Sequence, residues 1–331
     1  MPPEILLAEA GRLPAALAGP GPAADGALAP DRRPVDPALG QGYVQLTELG
    51  PHLRLLVHQY ALRQPVQLRK PPAPTGRDVL IFSFRNVYQP PAGPGTAAPA
   101  PPTVRVSSAD LAFEQAAAAH AVVNAIVVAA NVALFQDLST ISPTSEALRA
   151  VLTPGQPCTY EVPASPAMRA VAAALVEAAV APELRHYYLR VKAEELLYLF
   201  LAELLKRPPA ATYPLHAADV ARLYALRDQL LADLSAVPRL AALAQAAGLS
   251  ESKLKRLFRQ IFGTSPYAYY QAARLDEAAR LLGEARLSVA EVGHRLGFAN
   301  LSHFARLFER HTGRKPKQFS RQAAEAASPA A

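Results

Sequence analysis

Two segments of this chain repeat each other at an offset of 50 residues, and this repeat constrains the fold most strongly. Residues 256–269 read RLFRQIFGTSPYAY, and residues 306–319 read RLFERHTGRKPKQF. A short helical pattern and a glycine precede each copy, Gly248 in one case and Gly297 in the other, and glycine suits a left-handed turn between helices. Each copy therefore predicts a helix-turn-helix, and two such motifs in one chain indicate a DNA-binding domain.

Positive charge is concentrated around this repeat. Residues 238–321 contain 15 Lys and Arg against 6 Asp and Glu, a net charge of +9, whereas the rest of the chain has a net charge of −2. A basic region beside a nearly neutral body predicts a polyanionic partner for that region alone. Charge by itself leaves a solvated basic surface as the alternative.

The first helix-turn-helix is predicted at 239–262. Ser250 is a suitable N-cap for its second helix, which buries Leu254, Leu257, Phe258 and Ile261. The opposite face carries Ser252, Lys253, Lys255, Arg256 and Arg259. Four of these five side chains are cationic, which suits a helix that lies in the major groove between two phosphate backbones.

The second helix-turn-helix is predicted at 288–312. Asn300 is expected to cap its second helix, and Phe304, Leu307 and Phe308 to face inward. The residues predicted to face outward near the start of this helix are Leu301, Ser302, Ala305 and Arg306. Because this face is less basic, we expect fewer hydrogen bonds to bases, with Leu301 or Ala305 against a thymine methyl group. Gly293 takes the position of Ala244 in the first motif, where a very small residue lets two helices cross closely.

A helix is predicted between the two motifs, from Pro266 to Gly283. Its 18 residues span roughly 27 Å. With its loop ends it can hold two reading helices about one DNA turn apart, ~34 Å, on one face of the duplex. One chain could then read two successive major-groove segments, so we expect an asymmetric DNA site rather than a palindrome.

The C-terminal region resembles the AraC/XylS family of bacterial transcription regulators over about residues 217–321. The matching stretches are LAALAQAAGLSESKLKRLF, Arg274-Leu275-x-x-Ala278-x-x-Leu281-Leu282 and LSVAEVGHRLGFANLSHFARLFERHTGRKPKQF. The resemblance implies base contacts by Ser252, Lys255, Arg256, Leu301, Ser302 and Arg306, and positions near phosphate for Lys253 and His303. Two departures from the family pattern are Lys315-Pro316 in place of Ser-Pro, and Gly293 in place of Ala.

Activation by contact with RNA polymerase is the usual mode of this family, so the resemblance implies an activator. A fainter resemblance covers residues 157–234, which are similar to the helical segment of the branch that includes ferric-siderophore-responsive regulators. It implies that the N-terminal domain senses a small-molecule effector, without identifying that effector.

The predicted fold class is α+β multidomain, with a β-rich N-terminal sensor domain and an all-α C-terminal domain. Alanine, proline and glycine dominate residues 1–40, which predicts a disordered tail. A β-rich domain is predicted at 41–164, with strands at 53–57, 79–84, 103–106 and 122–128 and an irregular loop at 89–102. A helical segment follows at 165–207, then a linker at 208–216 and the DNA-binding domain at 217–321.

The helical segment is predicted to contain two helices, the first capped by Ser165 and the second running from Pro182 to about Lys206. The second helix carries a wide apolar stripe formed by Leu189, Leu196, Leu197, Phe200, Leu204 and Leu205. This stripe could pack on the β-rich domain or against a second subunit, so the sequence leaves a homodimer open.

Other classes of protein are disfavoured by the residues present. Residues 115–135 lack formal charge, but interrupting His and Asn residues and a β-branched run favour a buried strand over a membrane helix. The single Cys158 has no His or acid at a recognisable spacing, so neither a catalytic site nor a cysteine-rich DNA-repair alkyl acceptor is expected. His52 and His58 match no metal-ligand spacing. We therefore expect a cytoplasmic regulator without a metal or cofactor. The alternatives are an architectural DNA binder without sequence preference and, less favoured, a DNA-binding enzyme.

Overall fold

The computed structural model describes residues 4–6, 31–70, 78–88, 101–111, 113–139, 145–207, 213–283 and 287–327. The chain divides into two compact units, an N-terminal unit (Met1–Ala221) and a C-terminal unit (Arg222–Ala331). Most of the predicted tail, and most of the predicted loop at 89–102 and linker at 208–216, lie outside the described residues.

Strands dominate the first part of the N-terminal unit. They are β1 (Glu4–Leu6), β2 (Arg32–Pro34), β3 (Gly40–Glu48), β4 (Leu53–Leu62), β5 (Val66–Lys70), β6 (Val79–Arg85), β7 (Thr103–Ser108), β8 (Phe113–Ala117), β9 (Val122–Asn131) and β10 (Thr159–Pro163). A seven-stranded antiparallel sheet has the order β10-β7-β6-β9-β4-β3-β2, and a three-stranded sheet has the order β1-β5-β8. The four strands predicted from apolar runs correspond to β4, β6, β7 and β9.

Residues 31–40 correct the predicted tail boundary. β2 pairs with β3, with Arg32 opposite Gln45, and Arg32 Nε donates a hydrogen bond to Gln45 Oε1 at 3.2 Å. Glu4–Leu6 also forms a strand, paired in parallel with Val66–Lys70. β2 has no apolar run, and the apolar run that includes Ile5 and Leu6 of β1 is short. Both strands are held by pairing with distant strands, which local composition does not report.

The helices of the N-terminal unit follow β9. They are a 3₁₀ turn (Val132–Phe135), α1 (Gln136–Ser139), α2 (Glu146–Leu152), α3 (Pro166–Glu177) and α4 (Pro182–Leu205). Ser165 caps α3 as predicted, since its side chain accepts a hydrogen bond from the Met168 N–H. One face of the large sheet packs on these helices, and Phe82 of β6 meets Phe200 of α4 edge to face at 5.4 Å.

The apolar stripe predicted on α4 is core along most of its length. Leu189, Leu196, Leu197, Phe200 and Leu204 are buried. Leu205 is an exception, because 51% of it is exposed at the last residue of the helix. The stripe therefore packs within the unit, and it does not by itself provide a face for a second subunit.

The C-terminal unit is helical. Its elements are α5 (Ala217–Ala232, which crosses the unit boundary), α6 (Leu240–Ala246), α7 (Glu251–Phe262), α8 (Pro266–Gly283), α9 (Val289–Arg295), α10 (Leu301–Thr312) and α11 (Pro316–Ala327). The pairs α6–α7 and α9–α10 are the two predicted helix-turn-helices, and α8 is the predicted link between them. The predicted inner side of α8 is buried, at Tyr270, Leu275, Ala278, Leu281 and Leu282.

Candidate DNA-binding surface

Helix α7 is fixed at both ends by local contacts. At its start the Ser250 side chain accepts a hydrogen bond from the Lys253 N–H at 3.3 Å. At its end Gly263 adopts the left-handed conformation, with a φ of 77°, and its N–H donates to the Arg259 carbonyl. The inward face buries Leu254, Leu257, Phe258 and Ile261, as the sequence predicts. The helix therefore presents one defined outer face.

The outer face of α7 contains the predicted cationic residues. Ser252, Lys255, Arg256 and Arg259 are exposed, whereas Lys253 is partly buried. Lys255 Nζ lies 4.0 Å from a carboxylate oxygen of Glu251 one turn earlier, in an exposed pair of small energetic weight. The exposed face of α7 can therefore contact a polyanion while the opposite face stays packed in the core.

Helix α10 has the same construction. Asn300 Oδ1 accepts a hydrogen bond from the His303 N–H at 2.9 Å, and Gly313 ends the helix in the left-handed conformation. Ser302, His303 and Arg306 are exposed, Ala305 is partly buried, and Phe304 and Phe308 are fully buried.

Leu301 departs from the expectation that it faces outward. It is partly buried, and its Cδ2 atom occupies the space beside Gly293 of α9. This placement depends on a neighbouring helix, so the spacing of residues within α10 could not reveal it.

One residue of this region was quoted in the family resemblance but was given no role by the sequence. Arg274 of α8 is 3% exposed, and its Nε and Nη2 atoms donate hydrogen bonds to the Leu296 carbonyl at 3.1 and 2.6 Å. Its guanidinium also lies 3.8 Å from the centre of the Phe298 ring. Arg274 thus fixes the turn of the second helix-turn-helix to the linking helix. The signal available in the sequence was an arginine among the apolar positions of an otherwise amphipathic helix.

The turn of the second motif is also held from the other side. Gly297 has a φ of 71°, and a side chain there would collide with the backbone of Ser235, which follows α5. The Tyr270 hydroxyl donates to the Leu234 carbonyl at 3.0 Å. These contacts connect the segment after α5, the linking helix and the second turn into one packed cluster.

The N-terminal unit contains a row of polar side chains on the sheet face that otherwise packs on the helices. Tyr43, Gln59 and Asn124 are directly opposite one another on β3, β4 and β9. The Tyr43 hydroxyl donates to Gln59 Oε1 at 2.8 Å. Within the described residues the buried Asn124 Oδ1 has no hydrogen-bond partner, which is uncommon for a buried acceptor.

The remaining candidates for chemistry are buried single groups. Burial lowers the pKa of His58 to about 4 and raises the pKa of the Cys158 thiol to about 12. Among the residues that the structure describes, no three His, Cys, Asp or Glu side chains are grouped as a metal site would need. In the same residues, no helix combines the length and the apolar character required to cross a bilayer.

The sequence of residues 243–322 matches the family described as a helix-turn-helix domain. The chain is 38% identical to the arabinose operon regulatory protein of Escherichia coli over 80 residues, which cover 24% of this chain and 27% of that protein. It is 34% identical to the regulatory protein PchR of Pseudomonas aeruginosa over 136 residues, which cover 41% of this chain and 46% of that protein. The chain thus matches less than half of the length of these two relatives.

Among solved structures, a probable AraC family transcriptional regulator from Rhodopseudomonas palustris is 26% identical, with a TM-score of 0.29. That match covers 31% of this chain and 96% of the other. The helix-turn-helix match, the named regulators and the two capped motifs around α8 agree with one another. The C-terminal unit therefore contains a helix-turn-helix domain at 243–322 that is similar in sequence to part of these named regulators.

Proposed function

We propose that this chain is a sequence-specific transcription regulator that places α7 and α10 in two successive major-groove segments of one DNA site. The observation that carries the proposal is the matched construction of these helices. Each is capped at both ends, buries one face and exposes an arginine at the same repeat position, Arg256 or Arg306. Arginine can pair with two acceptors of guanine, so matched arginines favour base reading over contact with phosphates alone.

The competing function is an architectural protein that binds DNA without sequence preference. Such a protein needs cations, but it does not need capped helices with hydrogen-bonding side chains in matched positions. Ser252 and Ser302 occupy matched positions beside the two arginines, and both are exposed. They add groups that can donate to or accept from base edges, which supports sequence reading.

The first experiment is DNase footprinting of the purified full chain on the DNA that flanks its own gene, with excess nonspecific DNA present. We expect an asymmetric protected stretch of about two helical turns per protomer. A regulator with sequence preference should favour that stretch over random duplex by roughly a thousandfold or more. Equal competition by every duplex would instead establish the architectural alternative.

Single substitutions then separate the predicted roles. Arg256→Ala or Arg306→Ala should weaken binding by about 1–3 kcal/mol and relax base preference locally. Lys253→Ala should weaken binding to all sequences and reduce the salt slope by about one. Unchanged operator affinity in both arginine variants would contradict the assignment of α7 and α10 as reading helices.

We also infer that the N-terminal unit binds a small effector at the polar row of Tyr43, Gln59 and Asn124. A buried acceptor among hydrogen-bonded neighbours supports a ligand that has a hydrogen-bond donor. A thermal-shift screen of the full chain would find such ligands. Asn124→Ala should abolish the shift, whereas Gln64→Ala, at an exposed turn beyond β4, is the control that should retain it.

The exposed residues of α4 support a homodimer in which the α4 helices of two copies pair with each other. Large apolar side chains are exposed on this helix at Leu184, Tyr187, Val191, Tyr198 and Leu205. All of them except Tyr187 are spaced seven residues apart. A seven-residue repeat is the spacing of a two-helix seam. The first half of α4 contains Arg185, Arg190 and Lys192, and the second half contains Glu194, Glu195 and Glu203, so antiparallel pairing would bring halves of opposite charge together.

Light scattering of Val191→Glu and Tyr198→Glu variants tests this dimer. Both side chains are exposed, so the substitutions should leave the fold intact and shift the mass from dimer to monomer. Leu138→Glu, at an exposed leucine of α1, is the matched control. A native chain that is monomeric at micromolar concentration would refute the pairing.

The family resemblance supports an activator of transcription rather than a repressor. In a reconstituted assay with bacterial RNA polymerase, the chain should raise transcription from a promoter that carries its footprinted site. Lower transcription at the same promoter would identify a repressor and would leave the DNA-binding assignment intact.

A further inference from the structure

We propose that Gly293 determines the base preference of the second reading helix, because it gives the Leu301 side chain a place against α9 and away from the DNA. The proposal rests on the function proposed above, in which α10 lies in the major groove. Leu301 is the first residue of α10. The N-terminal residues of a recognition helix are those that contact base edges, so the direction of this side chain affects what the helix reads.

The contact between the two residues is close. A methyl group at Gly293 would lie 2.5 Å from Leu301 Cδ2 and 3.4 Å from Phe304 Cδ1. Gly293 is buried, and Phe304 is fully buried beside it. The native packing of Leu301 therefore requires that residue 293 has no side chain.

The first helix-turn-helix supplies an internal comparison. Ala244 stands at the position equivalent to Gly293, and Glu251 at the position equivalent to Leu301. Ala244 is buried, while Glu251 is exposed and directed towards Lys255. A methyl group is accommodated there, in an arrangement where the first residue of the reading helix points outward.

The geometry has a consequence for DNA reading. With Leu301 directed to α9, the exposed residues at the start of α10 are Ser302 and His303, followed by Arg306 one turn later. An outward leucine would add an apolar contact, and the apolar group that the major groove offers is the thymine methyl. Gly293 thus keeps the second motif from preferring thymine at the base pair nearest the start of α10.

Gly293→Ala is the informative change. The atom that its methyl group meets is the far end of a flexible side chain, so Leu301 can move to another rotamer rather than disrupt the helix. In the outward rotamer it would reach the groove. We expect Gly293→Ala to raise relative affinity for thymine at one base pair by about fourfold, the effect of removing one methyl-sized apolar group from water.

Three further variants complete the experiment. Leu301→Ala in the native background should leave base preference unchanged, because the native side chain does not reach the bases. Gly293→Ala combined with Leu301→Ala should return the preference to that of the native chain. Ala244→Gly is the matched control, which should leave base preference unchanged in both segments.

The measurement is competitive binding of the full chain to a DNA pool randomised over the segment read by α10. A change in preference caused by Leu301→Ala alone would overturn the proposal, since the leucine would then touch DNA in the native chain. Selective binding by the native chain together with an unaltered preference in Gly293→Ala would also overturn it. Absence of selective binding by the native chain would instead refute the proposed function.

Thermal melting of the native chain, Gly293→Ala, Leu301→Ala and the double variant reports the packing without DNA. Gly293→Ala should lower the melting temperature less in the Leu301→Ala background than in the native chain, because the clashing atoms of Leu301 are then absent. Additive melting temperatures would mean that the two residues do not share space, and would overturn the proposal independently of any binding result.

Discussion

Arg274 is a buried charged side chain that joins the linking helix α8 to the turn of the second helix-turn-helix. Its guanidinium donates twice to the Leu296 carbonyl and lies over Phe298. Arg274→Met keeps most of the volume but leaves that carbonyl without its charged donor. We expect a loss of about 2–3 kcal/mol in the free energy of unfolding of this unit, measured by urea denaturation. Arg280→Met on the same helix, which breaks a more exposed pair with Glu277, should cost less than about 1 kcal/mol.

His58 of β4 makes the N-terminal unit sensitive to acid. Burial lowers its pKa from 6.5 to about 4, so between these values the unfolded chain binds a proton that the folded chain excludes. Stability should therefore fall as the pH is lowered from about 6.5 to 4, by roughly 3 kcal/mol from this group. His58→Gln should remove that part of the pH dependence in denaturation curves recorded at each pH. An identical pH profile in the variant would contradict the buried neutral imidazole.

The sequence predicted those residues of the candidate surface whose placement is local. Exposure of Arg256 and Arg306 and capping by Ser250 and Asn300 follow from helical periodicity and from the first turn alone. The inward position of Leu301 did not, because it depends on the missing side chain of Gly293 in a different helix. Predictions for single side chains therefore fail where the placement of the side chain depends on contact with a different helix or strand.

At the scale of elements, helices were predictable because their ends are marked in the sequence. Ser165, Ser250 and Asn300 were each proposed as N-caps, and in each case the side chain accepts a hydrogen bond from the third residue of the helix. The strands β2 and β1 carry no such marks. β2 forms because it pairs with β3, and β1 forms because it pairs with β5. The order of strands in the sheet determines this pairing, and the residues next to each strand in sequence do not.

The caps of α7 and α10 should contribute measurably to stability. Ser250→Ala and Asn300→Ala each remove the acceptor for one N–H in the first turn, and each should destabilise the C-terminal unit by about 1 kcal/mol. Ser250→Asp and Asn300→Asp, which retain an acceptor, should cost much less. Urea denaturation of the full chain gives both values, and equal losses for alanine and aspartate would argue against capping.

An ion pair joins α10 to α8. His311 Nε2 lies 2.7 Å from an oxygen of Asp276, and this hydrogen bond raises the pKa of His311. A raised pKa means that the contribution is present in full below pH 6.5 and disappears as the pH rises through the folded value. The stability difference between the native chain and His311→Asn should therefore be larger at pH 6 than at pH 9. The stability difference between the native chain and Asp276→Asn should likewise be smaller at pH 9 than at pH 6. A stability difference that does not change with pH would exclude a charged pair.

At the scale of the whole molecule, charge and chemistry are divided between the two units. The basic region coincides with the helices that carry the repeat, while the N-terminal unit holds the sheets and the polar row of Tyr43, Gln59 and Asn124. Composition predicted this division, since the net charge changes sign along the chain. Composition could not predict strand order or the second sheet, because loop closure between distant strands leaves no periodic signal.

In the proposed function, the link between the two motifs determines the spacing of the two DNA segments. Helix α8 is continuous over 18 residues, and Arg274 and Tyr270 bind it to the elements around the second turn. We therefore expect the two proposed reading helices to be held at one separation. Insertion of five base pairs between the two segments of the footprint rotates one groove by about half a turn. Affinity should then fall at least tenfold towards the nonspecific level, measured by electrophoretic mobility shift.

Reversal of one segment in place should be equally harmful, because a single chain presents two different helices in a fixed order. A chain whose two motifs acted independently would tolerate both changes with small losses. The contacts that would then have to break are those of Arg274 and Tyr270. Arg274→Met should therefore reduce the penalty of the five-base-pair insertion, even though it lowers affinity for the native site.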